Sequence, residues 1–173
     1  MKATIESVER LRVDALYGKK KHFNAADRKS RLRLILNIPV IVINVFLSSL
    51  LLALFRENSP EYTKIIAAIL SLAAAVLSGL STFLDLAKQV EGHRRVGNRY
   101  LSVVKGCERL LAIYRDKLLK PEELVERFEA LAATADEING EAESLHTNDS
   151  DYKRAQRGLK SGEEVYLPEE IRK

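Results

Sequence analysis

Hydrophobic positions divide this chain into two kinds of segment. Leu34 to Phe55 and Ile65 to Leu84 are continuous apolar runs of 22 and 20 residues without a charge. Arg33 and Arg56 bound the first, Lys64 and Asp85 the second. Elsewhere apolar residues recur on one side only. A helix needs about 20 apolar residues to cross a hydrocarbon layer of roughly 30 Å, so each run predicts a membrane-spanning helix. Only residues 56–64 separate them, which predicts an antiparallel hairpin with a short external loop.

The flanking segments carry helical periodicity. Residues 1–33 read as an N-terminal cytoplasmic helix followed by a basic approach to the membrane. Ile5, Val8, Leu11 and Leu16 give Met1 to Tyr17 one apolar face, and Gly18 with Lys19–Lys21 is expected to interrupt it. After the second run, Val96, Tyr100, Val103, Cys107, Leu110 and Tyr114 recur at alternating spacings of four and three. Leu124, Phe128, Leu131, Ala135, Ile138, Ala142 and Leu145 do the same. That spacing is the narrow seam of a coiled coil. Pro121 separates the two seams, because proline suits a helix's first turn and cannot continue the previous helix. Glu122 and Glu123 then meet the positive end of the helix dipole. Residues 85–146 therefore predict a cytoplasmic helical hairpin. Residues 147–173 are polar, contain Gly158 and Gly162, and are expected to form a mobile tail. The fold class is all-α: a two-helix transmembrane hairpin with a cytoplasmic helical hairpin or bundle.

Composition alone would hide this. Mean hydropathy is −0.14, a value ordinary for soluble proteins. Yet of 28 basic and 24 acidic residues, only Arg56, Glu57, Glu61 and Lys64 fall between Leu34 and Leu84. A soluble fold would have to wrap two helices apolar on every face with segments that have their own faces to bury. The first run starts too late and is too long for a cleavable signal, and no small-x-small site follows it; it is expected to act as an uncleaved anchor. Lys19, Lys20, Lys21, Arg28, Lys29, Arg31 and Arg33 precede the first run, and Lys88, Arg94, Arg95 and Arg99 follow the second. Basic residues stay on the cytoplasmic side, so a multi-pass protein with both termini in the cytoplasm is expected. Contact with anionic headgroups accounts for the net charge of +4. Without aromatic interleaving or a binding motif, a nucleic-acid partner is not expected; the lipid bilayer is.

The runs contain no ionisable residue, which argues against a proton relay or ion-coupled transport. No phosphate-cradling loop, catalytic triad or metal-ligand spacing is present, so no enzyme, catalytic residue, cofactor or metal is expected. His22, His93 and His146 are far apart in sequence, and Cys107 reads as a small buried seam residue. Asn37, Asn44 and Ser48 share one face of the first helix. Asparagine is costly in lipid without a partner or water, so this face either bonds another helix or lines a pore. Pro39, one turn away, permits a kink. Ala67, Ser71, Ala75 and Gly79 recur every four residues, which lets a second backbone come close, from the first helix or from a neighbouring copy. Two helices cannot enclose a channel, so a pore requires a homo-oligomer. The heptad hairpin offers it a surface.

The basic approach Arg28-Lys29-Ser30-Arg31-Leu32-Arg33, the two-helix hairpin, and Gly92-His93-Arg94-Arg95-Val96-Gly97-Asn98-Arg99-Tyr100 resemble the SLATT family across roughly residues 10–157. These are two-helix membrane effectors of prokaryotic conflict systems. The resemblance implies an antiviral role at the bacterial inner membrane, with a nucleotide-signalling or nucleotide-sensing partner protein and a pore or membrane disruption on triggering. It carries over no catalytic residue. Its juxtamembrane motif falls on His93, Val96, Gly97 and Tyr100. Val96 and Tyr100 open the heptad seam, Gly97 permits close packing, and His93 is expected at the membrane surface. From a different class, a non-conducting anchor that recruits a soluble partner through the helical hairpin fits the same pattern.

Overall fold

The computed structural model describes residues 2–54 and 60–165, which form five helices and no strand. They are α1 (Lys2–Leu54), α2 (Glu61–Leu84), α3 (Leu86–Arg115), α4 (Pro121–Ala142) and α5 (Asp149–Lys160). The chain forms two compact units. One comprises Met1–Ala26 with Glu91–Lys173, the other Asp27–Val90.

In the first unit, both heptad seams turn inward. Val8, Ala15 and Leu16 of α1 join Val96, Tyr100, Val103, Cys107 and Leu110 of α3 and Leu124, Ala135 and Ile138 of α4 in one buried core. Each fully buried aliphatic side chain contributes about 1.5–3 kcal/mol. The seams are thus consumed within the chain, and the surface expected to drive oligomerisation is the interior of a helical bundle.

Two local expectations give way to tertiary contact. Helix α1 does not break at Gly18. The ring of Tyr100 lies 2.9 Å from where a Cβ at Gly18 would stand, so glycine serves close packing there. Two of the three adjacent cations are paired: Lys19 donates to Glu164 at 2.8 Å, and Lys20 pairs with Glu163. Pro39, where a kink is permitted, lies inside the same helix. Finally, the polar tail contains a helix. Asn148 accepts from the Asp151 backbone N–H at 3.0 Å, and Asp151 accepts from the Asn148 N–H at 3.1 Å, a reciprocal cap that starts α5. Gly162, at φ +81°, follows its end in a conformation suited to glycine. Asn24 donates to the Asp151 carbonyl at 3.0 Å, and Tyr17 stacks on Tyr152, tying α5 to α1. Residues 166–173 lie outside the described residues.

The second unit is the hairpin. Helix α2 starts at Glu61, directly after the cap residue Pro60 and four residues before the apolar run. It ends at Asp85, a left-handed residue at φ 42° that separates α2 from α3. The expected external loop between the spans falls partly on 55–59, which are not among the described residues. Leu36, Val40, Ile43, Leu47 and Leu50 of α1 are buried or half-buried, as are Thr63, Ala67, Leu70, Ala74, Leu77 and Ser81 of α2. Both series alternate spacings of four and three, the seam of a left-handed helix pair. Much of the remaining apolar surface is bare: Ile41, Val45, Ile65, Ile69 and Leu72 are each at least 60 % exposed, and Phe83 is 85 % exposed. Only 6 % of each helix's most apolar stretch is buried. A soluble core helix would be mostly covered, so these helices carry the surface of a membrane hairpin.

The packing at Gly18 makes a paired prediction. Gly18→Val should destabilise the detergent-solubilised protein by about 1–3 kcal/mol through overpacking against Tyr100. Gly140→Ala, where a Cβ meets nothing within 4 Å, should stabilise it by about 0.5–1 kcal/mol through helix propensity. Denaturant unfolding followed by circular dichroism measures both, and equal effects would refute the packing assignment.

Candidate functional site

Of the three residues on the asparagine face, one finds a partner on the other helix of the hairpin. Ser81 of α2 donates to Asn37 Oδ1 at 2.8 Å. The bond joins the start of the first apolar run to the end of the second, which sets an antiparallel register. Asn44 and Ser48 lie further along, and both are exposed. Ser48 bonds back to the Asn44 carbonyl at 2.9 Å, a local arrangement that satisfies its hydroxyl. The Asn44 side-chain amide has no hydrogen-bond partner among the described residues. In a bilayer, that amide needs a second chain or water.

The small-residue stripe divides as well. Ala67 is half-buried, whereas Ser71, Ala75 and Gly79 are exposed. A Cβ at Gly79 would meet nothing within 4 Å. Packing within the hairpin falls on Thr63, Ala67, Leu70, Ala74, Leu77 and Ser81 instead, so the outer part of the stripe is not spent on α1.

The juxtamembrane motif is interior. His93 is fully buried within the bundle and faces His22 of α1 across an Nδ1–Nδ1 distance of 3.0 Å. Val96 is fully buried. A Cβ at Gly97 would stand 3.3 Å from the ring of Phe23, so this glycine admits Phe23 as Gly18 admits Tyr100. Tyr100 donates to Asn139 Oδ1 of α4 at 2.6 Å, and its ring centre lies 5.9 Å from that of His22. The motif is therefore a tight α1–α3 seam.

Electrostatics in this unit follow from burial and pairing. Burial lowers the His22 pKa to about 4, reinforced by His93 and Lys21 and opposed by Asp151. Burial raises that of Tyr100, and raises the Cys107 thiol to about 11. On the surface, Glu141 accepts from Arg99 at 2.7 Å and Arg95 at 2.6 Å, which holds its carboxyl below the usual range. Among the described residues no cluster of three or more His, Cys, Asp or Glu side chains could hold a metal ion.

Kinship agrees with this architecture. A family model described as SMODS and SLOG-associating 2TM effector domain family 4 matches residues 6–170. The chain belongs to that family. It is thus a two-transmembrane-helix effector domain, and the match takes in the helical bundle and α5 as well as the hairpin. No curated protein and no solved structure matches it.

The residue pattern located Asn37, Asn44 and Ser48 but did not divide them by partner. It missed His22 as the partner of His93, since 71 positions separate them. It also missed α5, although Asn148 and Asp151 carry the spacing of a reciprocal cap.

A double-mutant cycle on Asn37→Ala and Ser81→Ala should give a coupling of about 0.6 kcal/mol, and not above about 1.7; zero coupling would remove the bond. Cys107 should resist maleimide at neutral pH in the folded protein and react once denaturant is added. Rapid labelling without denaturant would contradict its buried place in the seam.

Proposed function

We propose that this chain is a non-enzymatic, homo-oligomeric membrane effector of bacterial antiviral defence, whose hairpins assemble into a pore when a nucleotide signal or partner protein triggers them. The observation that carries the reading is the exposed Asn44, without a partner among the described residues, in the middle of an apolar span. In the register set by Asn37 and Ser81, Asn44 lies level with Ala74 and Ser48 with Leu70. Ala75 and Ser71 are the next residues along α2 at those two levels. Helical geometry puts Asn44 and Ser48 about a quarter turn from the buried face of α1, and Ser71 and Ala75 about a quarter turn from that of α2. In an antiparallel pair, these two flanks fall on the same side of the hairpin. One side thus combines an amide, hydroxyls and small residues, and the other is apolar. The first suits a neighbouring copy and a wet axis, the second suits lipid. The cations flanking the runs support cytoplasmic termini.

The anchor reading has less to rest on. It needs the heptad hairpin as its recruiting surface, and those seams are buried. Asn37 alone behaves as the anchor reading requires of all the asparagines, by holding two helices together.

Expression with an activated partner system should make cells leak dye, and Asn44→Leu should suppress the leak without lowering the amount of protein in the membrane. Full leakage from that variant would remove Asn44 from the pore. Gly79→Leu should weaken cross-linking between copies without destabilising the single chain, since helix propensity favours the change; unchanged cross-linking would take the stripe out of the interface.

A further inference from the structure

His22 and His93 are almost completely shielded from solvent, at 1 % and 0 % exposure, and their Nδ1 atoms stand 3.0 Å apart. A hydrogen bond at that distance needs one Nδ1 to donate and the other to accept, so the accepting ring must be neutral there. The bond sits in the α1–α3 seam, beside the Gly18–Tyr100 and Gly97–Phe23 contacts, where the two helices approach closely. Helix α1 runs from His22 into the first apolar run without interruption, and α3 follows the second run after the single residue Asp85. The pair therefore joins the chain segments that lead into and out of the two spans.

We propose that the His22–His93 pair is an acid-sensitive latch, closed while both imidazoles are neutral and released when the pair takes up a proton. A proton on the accepting Nδ1 sets two donors face to face. A proton on the outer Nε2 of His22 keeps the bond but leaves a cation in a closed interface, close to Lys21. The groups around His22 set its bias. On α1, Lys21 opposes protonation. On α5, Asp151 favours it. On α3, Tyr100 stays a neutral phenol, while α4 presents the uncharged Asn139 to that tyrosine. The α4 carboxylates Glu137 and Glu141 are engaged by Arg95 and Arg99.

The sign follows from linkage. Closure lowers the His22 pKa from 6.5 to about 4, so the opened state binds the proton more readily. The latch contributes fully above about pH 6.5 and weakens progressively as pH falls towards 4. Carboxylates such as Glu141, held below 4.5, lose their stabilisation only further into acid. If the hairpin conducts, as proposed above, protons admitted by the first open copies would release others. That consequence rests on the pore reading; the latch itself does not.

The test is amide hydrogen exchange on the full chain in lipid nanodiscs between pH 7.5 and 5, corrected for intrinsic exchange rates. Opening at residues 15–26 and 91–104 should increase about tenfold or more at the acidic end, while α4 changes little. His22→Phe, which keeps a ring but cannot titrate, should abolish most of that dependence. Should this variant fail to fold, the imidazole NMR shifts of the wild-type protein decide. Both rings staying neutral until the seam opens supports the latch. Titration near the ordinary value with the seam still protected overturns it, as does acid opening that persists in His22→Phe. Proteoliposomes acidified on the soluble-domain side separate the two ideas, because seam opening without dye release overturns the pore reading and leaves the latch intact.

Discussion

Uncovered apolar surface on α1 and α2 is the constraint on which the rest of this protein depends. A seam of alternating four and three residues holds the two helices together and leaves most of their isoleucine, valine, leucine and phenylalanine side chains outward. Water would make that arrangement untenable, whereas lipid makes it neutral. The same solvent sets the backbone's terms. Helices satisfy their own amides and carbonyls, which is why the span is helical and why a side-chain amide such as Asn44 is the costly exception.

The helical bundle is organised by a different requirement, close approach. Helix α1 meets α3 where glycine on one helix admits an aromatic ring from the other: Gly18 to Tyr100 and Gly97 to Phe23. Two histidines share a hydrogen bond within that seam, and α5 is fastened alongside by Asn24 and by the Tyr17–Tyr152 stack, with the Lys19 and Lys20 ion pairs just beyond its end. Those ion pairs add little stability individually. The heptad residues provide the core, so the bundle's cohesion is hydrophobic while its fine geometry is steric and polar.

Much of this was legible in the residues. Charge-free length found both spans, heptad spacing found α3 and α4, and Pro121 marked where one ends and the other begins. Local rules failed where tertiary contact decides. Gly18 and three lysines look like an interruption until Tyr100, Glu163 and Glu164 are in place. Residues 147–173 look like a tail because α5 is polar on most of its surface, although Asn148 and Asp151 form its cap. The heptads were legible as apolar stripes, but whether a stripe faces its own chain or another copy depends on helices distant in sequence. For the same reason the asparagine face was visible as a pattern, and the partition between bonded Asn37 and unpartnered Asn44 was not.

The function proposed for this chain requires the polar side of the hairpin to face other copies rather than lipid. Particle imaging of the full chain in lipid nanodiscs, in its triggered state, tests this most directly. The expected result is a closed ring of several copies, with Ser71 and Ala75 in the contacts between neighbours and Asn44 and Ser48 around a hydrated axis. A monomeric hairpin, or a ring whose axis is lined by Val45 and Phe46 with Asn44 turned to lipid, would contradict it.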